Sequence, residues 1–500
     1  MIIDGQILVQ GIDKDFFQDK FEIFHNNYKK ISCVISFEPL KPKYNISYVD
    51  RIDLSCLYNL KTIKNAFNIN YTTELDIYFL NLMMECQVVF FSTIDRCCAV
   101  PLSMSTHRNY FYELLYFFKS FFENRKDIKN VFFSTTPHFP VDIVLFYVAK
   151  YFSINIIILT RTDFNNQFFF RNDWRIVHYF ENNITYNDKK FKIKIDKDSK
   201  FLEYGKNLNK LSINNLFNNN HKKNYLKHHY NLIKHTINVY KNKNIISSLF
   251  LNHNINFFII LKIIYKRYKV NYKLFIKYSN LSVHPTFTNE YVYFPLHFQP
   301  ERSTDPEGLF FSNQLIALEL LRNSIPKNII IYVKEHPRQF DPLTPDLRKL
   351  HTRYNTFYEK IVNLPNTFLV NINIDSNLLI INSKIVATIT GSAGWEAMLR
   401  GKPVFVFGRP WYSSCKSCYI INDGIDIVNA INIIENIKKE QFIDNVNLFI
   451  TNIEGKTFDA FIGSVYFEGN NDFYNELINS FAKNLNNYIS SLNYNLNKFL

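Results

Sequence analysis

No apolar run in this sequence is long and unbroken enough to cross a bilayer. The stretch between Ile143 and Leu159 is interrupted by Lys150 and Asn155, and Phe257-Phe258-Ile259-Ile260-Leu261 runs into Lys262, whereas a spanning helix needs about 20 mostly apolar residues. The opening residues, Met1-Ile2-Ile3-Asp4-Gly5, have neither the basic n-region nor the apolar core of a secretion signal. Cysteine is sparse, odd in number at seven, and irregularly spaced. That excludes a disulfide framework and, with no signal peptide, leads to the expectation of a reducing cytoplasm. Cys415 and Cys418 form a C-x-x-C, but no second pair and no well-spaced histidines complete a zinc site. No D-x-D motif stands at a strand end in a context that implies a metal.

What is present is apolar and aromatic. Hydrophobic residues make up 47% and aromatics 17% of the 500, which excludes a disordered chain and suffices for two domains with separate cores. The abundance of Asn, Ile, Lys, Phe and Tyr reads as a coding bias and discounts apparent Asn or Lys clusters. The net charge of +14 is localised: residues 181–280 hold 20 basic and 5 acidic side chains, a net of +15, and leave the rest nearly neutral. Such a segment either attracts an anionic membrane surface, a charged polysaccharide or nucleic acid, or is a solvated helical insert. Tyr225, Leu226, Leu232, Ile233 and Ile237 recur in it at helical spacing and predict an amphipathic surface helix. His221, His228, His229 and His235 lie there without the second shell that metal ligation requires.

Residues 1–170 alternate apolar runs and helix-like segments, the mark of an α/β domain. Cys86-Gln87-Val88-Val89-Phe90-Phe91-Ser92 reads as a strand, residues 110–122 as an aromatic helix, and Val131-Phe132-Phe133-Ser134 as a second strand. Thr135-Thr136-Pro137-His138 follows, then a helix over 142–151 and a strand Ile154-Asn155-Ile156-Ile157-Ile158-Leu159 ending at Thr160-Arg161. His138, Asp142 and Arg161 are thus polar groups after strand ends; the alternatives are a loop histidine and a helix-capping aspartate.

The most informative stretch is 329–408. The buried run Ile329-Ile330-Ile331-Tyr332-Val333 stops at Lys334-Glu335-His336-Pro337, and a second run, Ile385-Val386-Ala387-Thr388-Ile389-Thr390, passes into the small-residue turn Gly391-Ser392-Ala393-Gly394 and the helix-like Trp395-Glu396-Ala397-Met398-Leu399-Arg400. Gly401 is the expected helix stop, Lys402-Pro403 turns the chain, and Val404-Phe405-Val406-Phe407-Gly408 is the next strand. This is half of a doubly wound sheet, whose ligands lie beyond the carboxyl ends of the strands. There the glycines admit close backbone approach and a helix start favours a phosphate, while Lys334 and His336 add charge and donors. The ligand these groups suit is a sugar nucleotide. Glu396 either binds ribose hydroxyls or complements the helix dipole.

Upstream, Tyr291-Val292-Tyr293-Phe294-Pro295-Leu296 reads as a strand and residues 310–323 as a helix, joined by the polar Gln299-Pro300-Glu301-Arg302-Ser303-Thr304-Asp305-Pro306-Glu307-Gly308. Asp305 and Pro306 carry the pattern of an N-cap followed by N1.

Tyr332-Val333-Lys334-Glu335-His336-Pro337 and Thr390-Gly391-Ser392-Ala393-Gly394-Trp395-Glu396-Ala397, preceded by Phe294-Pro295-Leu296-His297-Phe298-Gln299-Pro300-Glu301, resemble the bacterial capsule polysaccharide biosynthesis proteins, a family that includes Kdo transferases. The His-Pro motif is similar to that of bacterial sialyltransferases and polysialyltransferases. The resemblance covers residues 285–412. It implies a GT-B architecture, α/β with two Rossmann-like doubly wound domains facing across a cleft. It implies a glycosyltransferase of capsular or other surface polysaccharide synthesis, with a nucleotide-activated donor such as CMP-linked Kdo or sialic acid and a glycan or glycolipid acceptor.

On that reading residues 1–170 form the acceptor-side domain, 171–284 a basic insert or linker, and 285–470 the nucleotide-sugar domain; helices over 471–500 cross back to the first. Lys334, His336, Pro337, Thr390, Gly391, Ser392, Ala393, Gly394 and Glu396 are the expected donor-binding residues, and Glu301, His336, Asp142 and His138 the catalytic candidates. No metal or other cofactor and no nucleic acid partner is expected; the location expected is cytoplasmic, peripheral at the inner membrane face. The alternatives are a sugar-nucleotide 2-epimerase and a non-catalytic basic protein that binds polysaccharide, membrane or nucleic acid through residues 181–280.

Overall fold

The computed structural model describes residues 6–12, 15–71, 73–94, 102–163, 167–177, 233–234, 236–238, 240–241, 256–301, 303–340, 353–460 and 471–496. They form two α/β units, one of residues 1–190 with 250–253 and 453–500, the other of residues 191–249 and 254–452.

The first unit contains β1 (Gln6–Gln10), β2 (Ile31–Ser36), β3 (Asp50–Asp53), β4 (Ile128–Phe133), β5 (Asn155–Arg161) and β6 (Gln167–Arg171). The second contains β7 (Ser282–Val283), β8 (Tyr291–Pro295), β9 (Ile330–Lys334), β10 (Thr367–Val370), β11 (Ile385–Thr388), β12 (Val404–Val406) and β13 (Cys418–Ile420). The chain then gives β14 (Phe458–Asp459) to the first sheet, whose order is β14-β6-β5-β4-β1-β2-β3. β1 to β5 run parallel; at one edge β6 pairs antiparallel with β5, and β14 antiparallel with β6. The second sheet, β13-β12-β11-β8-β9-β10-β7, is parallel throughout.

Both sheets have helices on their faces, so their strands are buried on both sides and read as continuous apolar runs rather than alternating ones. β2 is buried at all six positions and β11 at all four. Winding reverses between β1 and β4 in the first sheet and between β8 and β11 in the second. Those two reversals open the crevices in which doubly wound sheets hold ligands.

Several sequence expectations are met: strands at Ile128–Phe133, Asn155–Arg161, Tyr291–Pro295, Ile330–Lys334 and Ile385–Thr388, and helices at Met104–Asn124 and Pro140–Tyr151. Gly401, at φ +67°, ends a helix in the left-handed region that favours glycine. The terminal helix Asn471–Leu496 packs in the first unit, Phe481 meeting Phe21 edge-on with centroids 5.6 Å apart.

Three expectations are corrected. Residues 86–92 are not a strand but part of the helix Met84–Thr93. Their β-branched and aromatic composition suggests a strand, yet the buried side chains are Cys86, Phe90 and Thr93, at helical spacing, and packing overrides propensity. Asp305 and Pro306 do not start a helix; a run of turns leads to a 3-10 turn at Leu309–Ser312, and the helix is Gln314–Ser324, capped by the Asn313 side chain on the Leu315 N–H at 3.3 Å. Ser392, Ala393 and Gly394 are not a turn but the first residues of the helix Ser392–Met398, with Gly391 as its N-cap.

Most of the basic segment, with its histidines, Tyr225, Leu226 and Leu232, lies outside the described residues. Ile233 and Ile237 are described and are exposed, so they do not supply the buried stripe expected of them. The helix Phe257–Leu281 packs in the second unit, where Leu274 and Tyr278 join the core.

Candidate functional site

Three strand ends of the second sheet assemble the site: β8 delivers His297, β9 delivers Lys334 to Pro337, and β11 delivers Thr388 to Ser392. His297 is buried at the β8/β11 reversal. Its Nε2 lies 2.8 Å from the Thr388 hydroxyl and its Nδ1 3.0 Å from the Thr304 hydroxyl. The Thr390 N–H approaches Nε2 at 3.5 Å, and the Gly391 N–H donates to the Thr388 oxygen at 3.2 Å. Nε2 is therefore the acceptor and Nδ1 carries the proton, donating to Thr304. Burial, with the positive fields of His336 and Arg353, pushes His297 down to about 3, so the ring is neutral. A consequence for the expected donor-binding residues is that the Thr390 and Gly391 amides are already engaged. Space is tight at Gly391, where a Cβ would stand 3.0 Å from the imidazole and from the Thr388 hydroxyl. At Gly394 a Cβ would force a shift, since it would meet the Tyr412 hydroxyl at 2.4 Å.

Lys334 is 5% exposed, and its ammonium donates one hydrogen bond, to the Ser376 hydroxyl at 3.0 Å. Ser376 opens the helix Ser376–Asn382, capped by Asp375 on the Asn377 N–H at 2.9 Å. Burial lowers Lys334 to about 8, partly offset by the Asp375 charge. Among the described residues no acceptor takes its other two protons. A buried cation with donors to spare is suited to an anion.

Glu335 next to it is spent structurally. Its carboxylate makes a bidentate pair with Arg353, at 2.8 and 3.2 Å, and accepts from the Tyr358 hydroxyl at 2.8 Å and the His336 N–H at 2.7 Å. Arg353 also donates to the His297 carbonyl at 2.8 Å, tying the β8 and β9 ends together. His336 is half-buried, and the Arg338 N–H donates to its Nδ1 at 3.2 Å. In the neutral ring the proton is thus on Nε2, which makes that nitrogen a donor. Pro337 starts the 3-10 turn Pro337–Phe340. Ser392 is exposed and donates to Glu396 at 3.3 Å; Arg400 donates to the Glu396 carbonyl at 2.7 Å and the Asn377 side chain at 2.8 Å. Glu301 is exposed in the loop after β8.

The catalytic candidates His138 and Asp142 belong to the first unit, at the β1/β4 end of its sheet. Asp142 is buried, accepting from the Gln10 amide at 2.8 Å and the Phe139 N–H at 3.4 Å. Burial raises it to about 7, opposed by the Phe139 and His138 backbone amides. His138 donates from Nδ1 to the Thr136 carbonyl at 2.8 Å, and Arg161 ends β5. Cys415 and Cys418 are buried thiols raised by desolvation, Cys415 to about 12. Among the described residues no cluster of His, Cys, Asp and Glu could hold a metal, and no helix is long and apolar enough to cross a membrane.

Sequence reasoning missed His297, Arg353, Ser376 and Gln10 as site residues. Asp375-Ser376 ahead of an apolar run was a readable helix-start signal. Arg353, eighteen residues past Glu335, had none.

A doubly wound unit with a buried, anion-suited cation at its carboxyl edge is the class of protein this geometry defines. Residues 288–415 match the family described as "Capsule polysaccharide biosynthesis protein", which bears out the resemblance carried by the three motifs. None of the curated protein sequences matches the chain significantly. Among solved structures it is similar to the β-Kdo 2,7 transferase of Thermosulfurimonas dismutans KpsC, at 14% identity over 75% of this chain and 97% of that one, TM-score 0.27. The β-Kdo 2,4 transferase of the same KpsC matches at 11% identity over 71% and 88%, TM-score 0.30. The UDP-GlcNAc 2-epimerase of Methanocaldococcus jannaschii matches at 11% identity over 87% and 93%, TM-score 0.23.

Proposed function

We propose that this protein is a glycosyltransferase of capsular or related surface polysaccharide synthesis, of the GT-B type, which holds a nucleotide-activated sugar at the carboxyl edge of its second sheet. The observation that carries the reading is the buried Lys334 ammonium at a strand end, which among the described residues has one hydroxyl partner and two protons without an acceptor. In the proposed complex Lys334 neutralises the donor phosphate and stabilises it as leaving group, and His336 donates from Nε2 to phosphate or to a nucleotide hydroxyl. Ser392 adds a hydroxyl. The capsule-family match over residues 288–415 supports the pathway class, and CMP-linked Kdo or sialic acid is the donor class that the family suggests. The acceptor is a glycan or glycolipid, the reaction needs no metal, and the protein works in the cytoplasm at the inner face of the membrane.

Calorimetry of the purified protein against CMP, CDP, UDP, GDP and their sugar conjugates tests this. Saturable binding of one nucleotide, lost in His336→Ala and Lys334→Met, is the expected result. Absence of binding by every nucleotide to folded protein overturns it. Turnover unchanged in chelator checks metal independence, and formation of a glycoside product, rather than an epimerised sugar nucleotide, separates transferase from epimerase.

A further inference from the structure

The 25-residue helix Phe257–Leu281 carries six basic side chains and no Asp or Glu. One side of it is spent on the fold: Ile260, Ile263, Ile264, Leu274 and Tyr278 are buried, and Lys277 pairs with Glu359 and donates to the Asn355 carbonyl at 2.6 Å. The other side holds Lys262, Lys266, Lys269 and Lys273, all exposed and one turn apart, over about 16 Å of helix. A solvated helix face ordinarily sets a carboxylate three or four residues from its lysines. Here Lys262 with Lys266, and Lys269 with Lys273, are like charges at that spacing, and they repel. Among the described residues no carboxylate forms an ion pair with any of the four. Lys269 lies over the Tyr265 ring instead, its Nζ 4.6 Å from the centroid.

Beside the lysine row runs an apolar one. Phe258, Tyr265 and Ile276 project within about 20° of one another around the helix axis, and the four lysines fall within roughly the next 80°. Phe258 is 75% exposed and Ile276 40%. A soluble polyanion would neutralise the lysines but offers nothing to an exposed phenylalanine and isoleucine. A phospholipid surface takes both, with phosphates for the ammonium groups and the acyl boundary for the apolar side chains.

We propose that the exposed face of the helix Phe257–Leu281 docks on an anionic phospholipid surface, its lysines on lipid phosphates and Phe258, Tyr265 and Ile276 in the headgroup layer. The helix lies along the surface rather than through it, since Leu274 and Tyr278 hold its opposite face in the core of the second unit. On the glycosyltransferase reading, on which only the purpose of docking rests, this face brings the donor site to a glycolipid acceptor.

The test is flotation of the full chain with vesicles of phosphatidylcholine, and with vesicles of equal parts phosphatidylcholine and phosphatidylglycerol. Binding to the anionic vesicles alone is expected. Each ammonium near such a surface is worth about fivefold in affinity, so the combined Lys262→Gln, Lys266→Gln, Lys269→Gln and Lys273→Gln variant should bind about a hundredfold more weakly or worse. Phe258→Ser with Ile276→Ser should weaken binding several-fold, and that loss should persist in high salt, which screens the lysines. All six positions are exposed, and an unchanged melting temperature and unchanged calorimetry with nucleotides show that the variants fold. Equal binding to both vesicle types, or full binding by the lysine variant, overturns the proposal. Lysine-dependent binding of polysialic acid without vesicle binding overturns it in favour of an acidic glycan. Nucleotide binding without vesicle binding overturns this inference and leaves the proposed function standing. Lysine-dependent vesicle binding without any nucleotide binding does the reverse.

Discussion

His297 and Thr388 meet across the reversal of the second sheet, imidazole Nε2 2.8 Å from hydroxyl oxygen. The contact joins the loop after β8 to the end of β11, and it makes a buried neutral imidazole part of the wall behind the Gly391 helix N-cap. A histidine so placed has a cost at low pH.

Because the folded ring is pushed down to about 3, the unfolded chain binds the extra proton first. The stability His297 contributes is present above about pH 6.5, the ordinary histidine value, and is lost as pH falls toward 3, by at most about 1.4 kcal/mol per pH unit. Denaturant unfolding between pH 4.5 and 7.5 measures the slope. His297→Asn is expected to flatten it; an unchanged slope removes His297 as its source.

Lys334 gives effects of opposite sign on stability and binding. Its folded value of about 8 lies below the ordinary lysine value, so holding the charge at pH 7 costs the fold up to about 3 kcal/mol. That cost disappears as pH rises through 8 to 10.5. Lys334→Met is therefore expected to raise the melting temperature at pH 7 and to weaken binding of nucleotides while sparing the parent nucleosides. Wild-type affinity for nucleoside monophosphates should decline above about pH 8. Equal losses for nucleosides and nucleotides would falsify the phosphate role.

The Glu335–Arg353 pair is buried at both ends, side chains 0% and 3% exposed. Removing one partner leaves an uncompensated charge, so Glu335→Ala and Arg353→Ala are each expected to destabilise by about 3–5 kcal/mol. Guanidinium unfolding of the single and double variants tests it: the double variant should cost less than the two singles summed. Strict additivity would mean that the pair is not coupled.

Gly394→Ala places a methyl 2.4 Å from the Tyr412 hydroxyl, which donates to the Gly391 carbonyl. A loss of about 1–3 kcal/mol is expected from the forced shift. Tyr412→Phe removes the clashing oxygen and should recover part of that loss in the double variant; no recovery would place the strain elsewhere.

The parallel strands and their order of helix and strand were legible because a sheet buried on both faces writes itself as short β-branched runs, as at β9 and β11. Lys334, His336 and Gly391 could be read as candidate site residues because in a doubly wound fold polar groups that meet ligands collect at strand ends. The helix Met84–Thr93 was illegible for a related reason: its Val and Phe satisfy strand propensity, and only the neighbours that bury Cys86, Phe90 and Thr93 decide for helix.

Which strand ends become neighbours was settled by tertiary structure alone. Adjacency of β8 and β11, 91 to 93 residues apart in sequence at His297 and Thr388–Thr390, cannot be read from either segment, because pairing is a property of both together. The same holds for Gln10 and Asp142, and for Glu335 and Arg353. The sequence determined by itself the kind of fold and the polar residues available to it. The packing decided that Glu335 and Asp142 are spent on internal bonds while Lys334, among the described residues, keeps two donors without an acceptor, since a buried polar group is defined by the partners that burial leaves it.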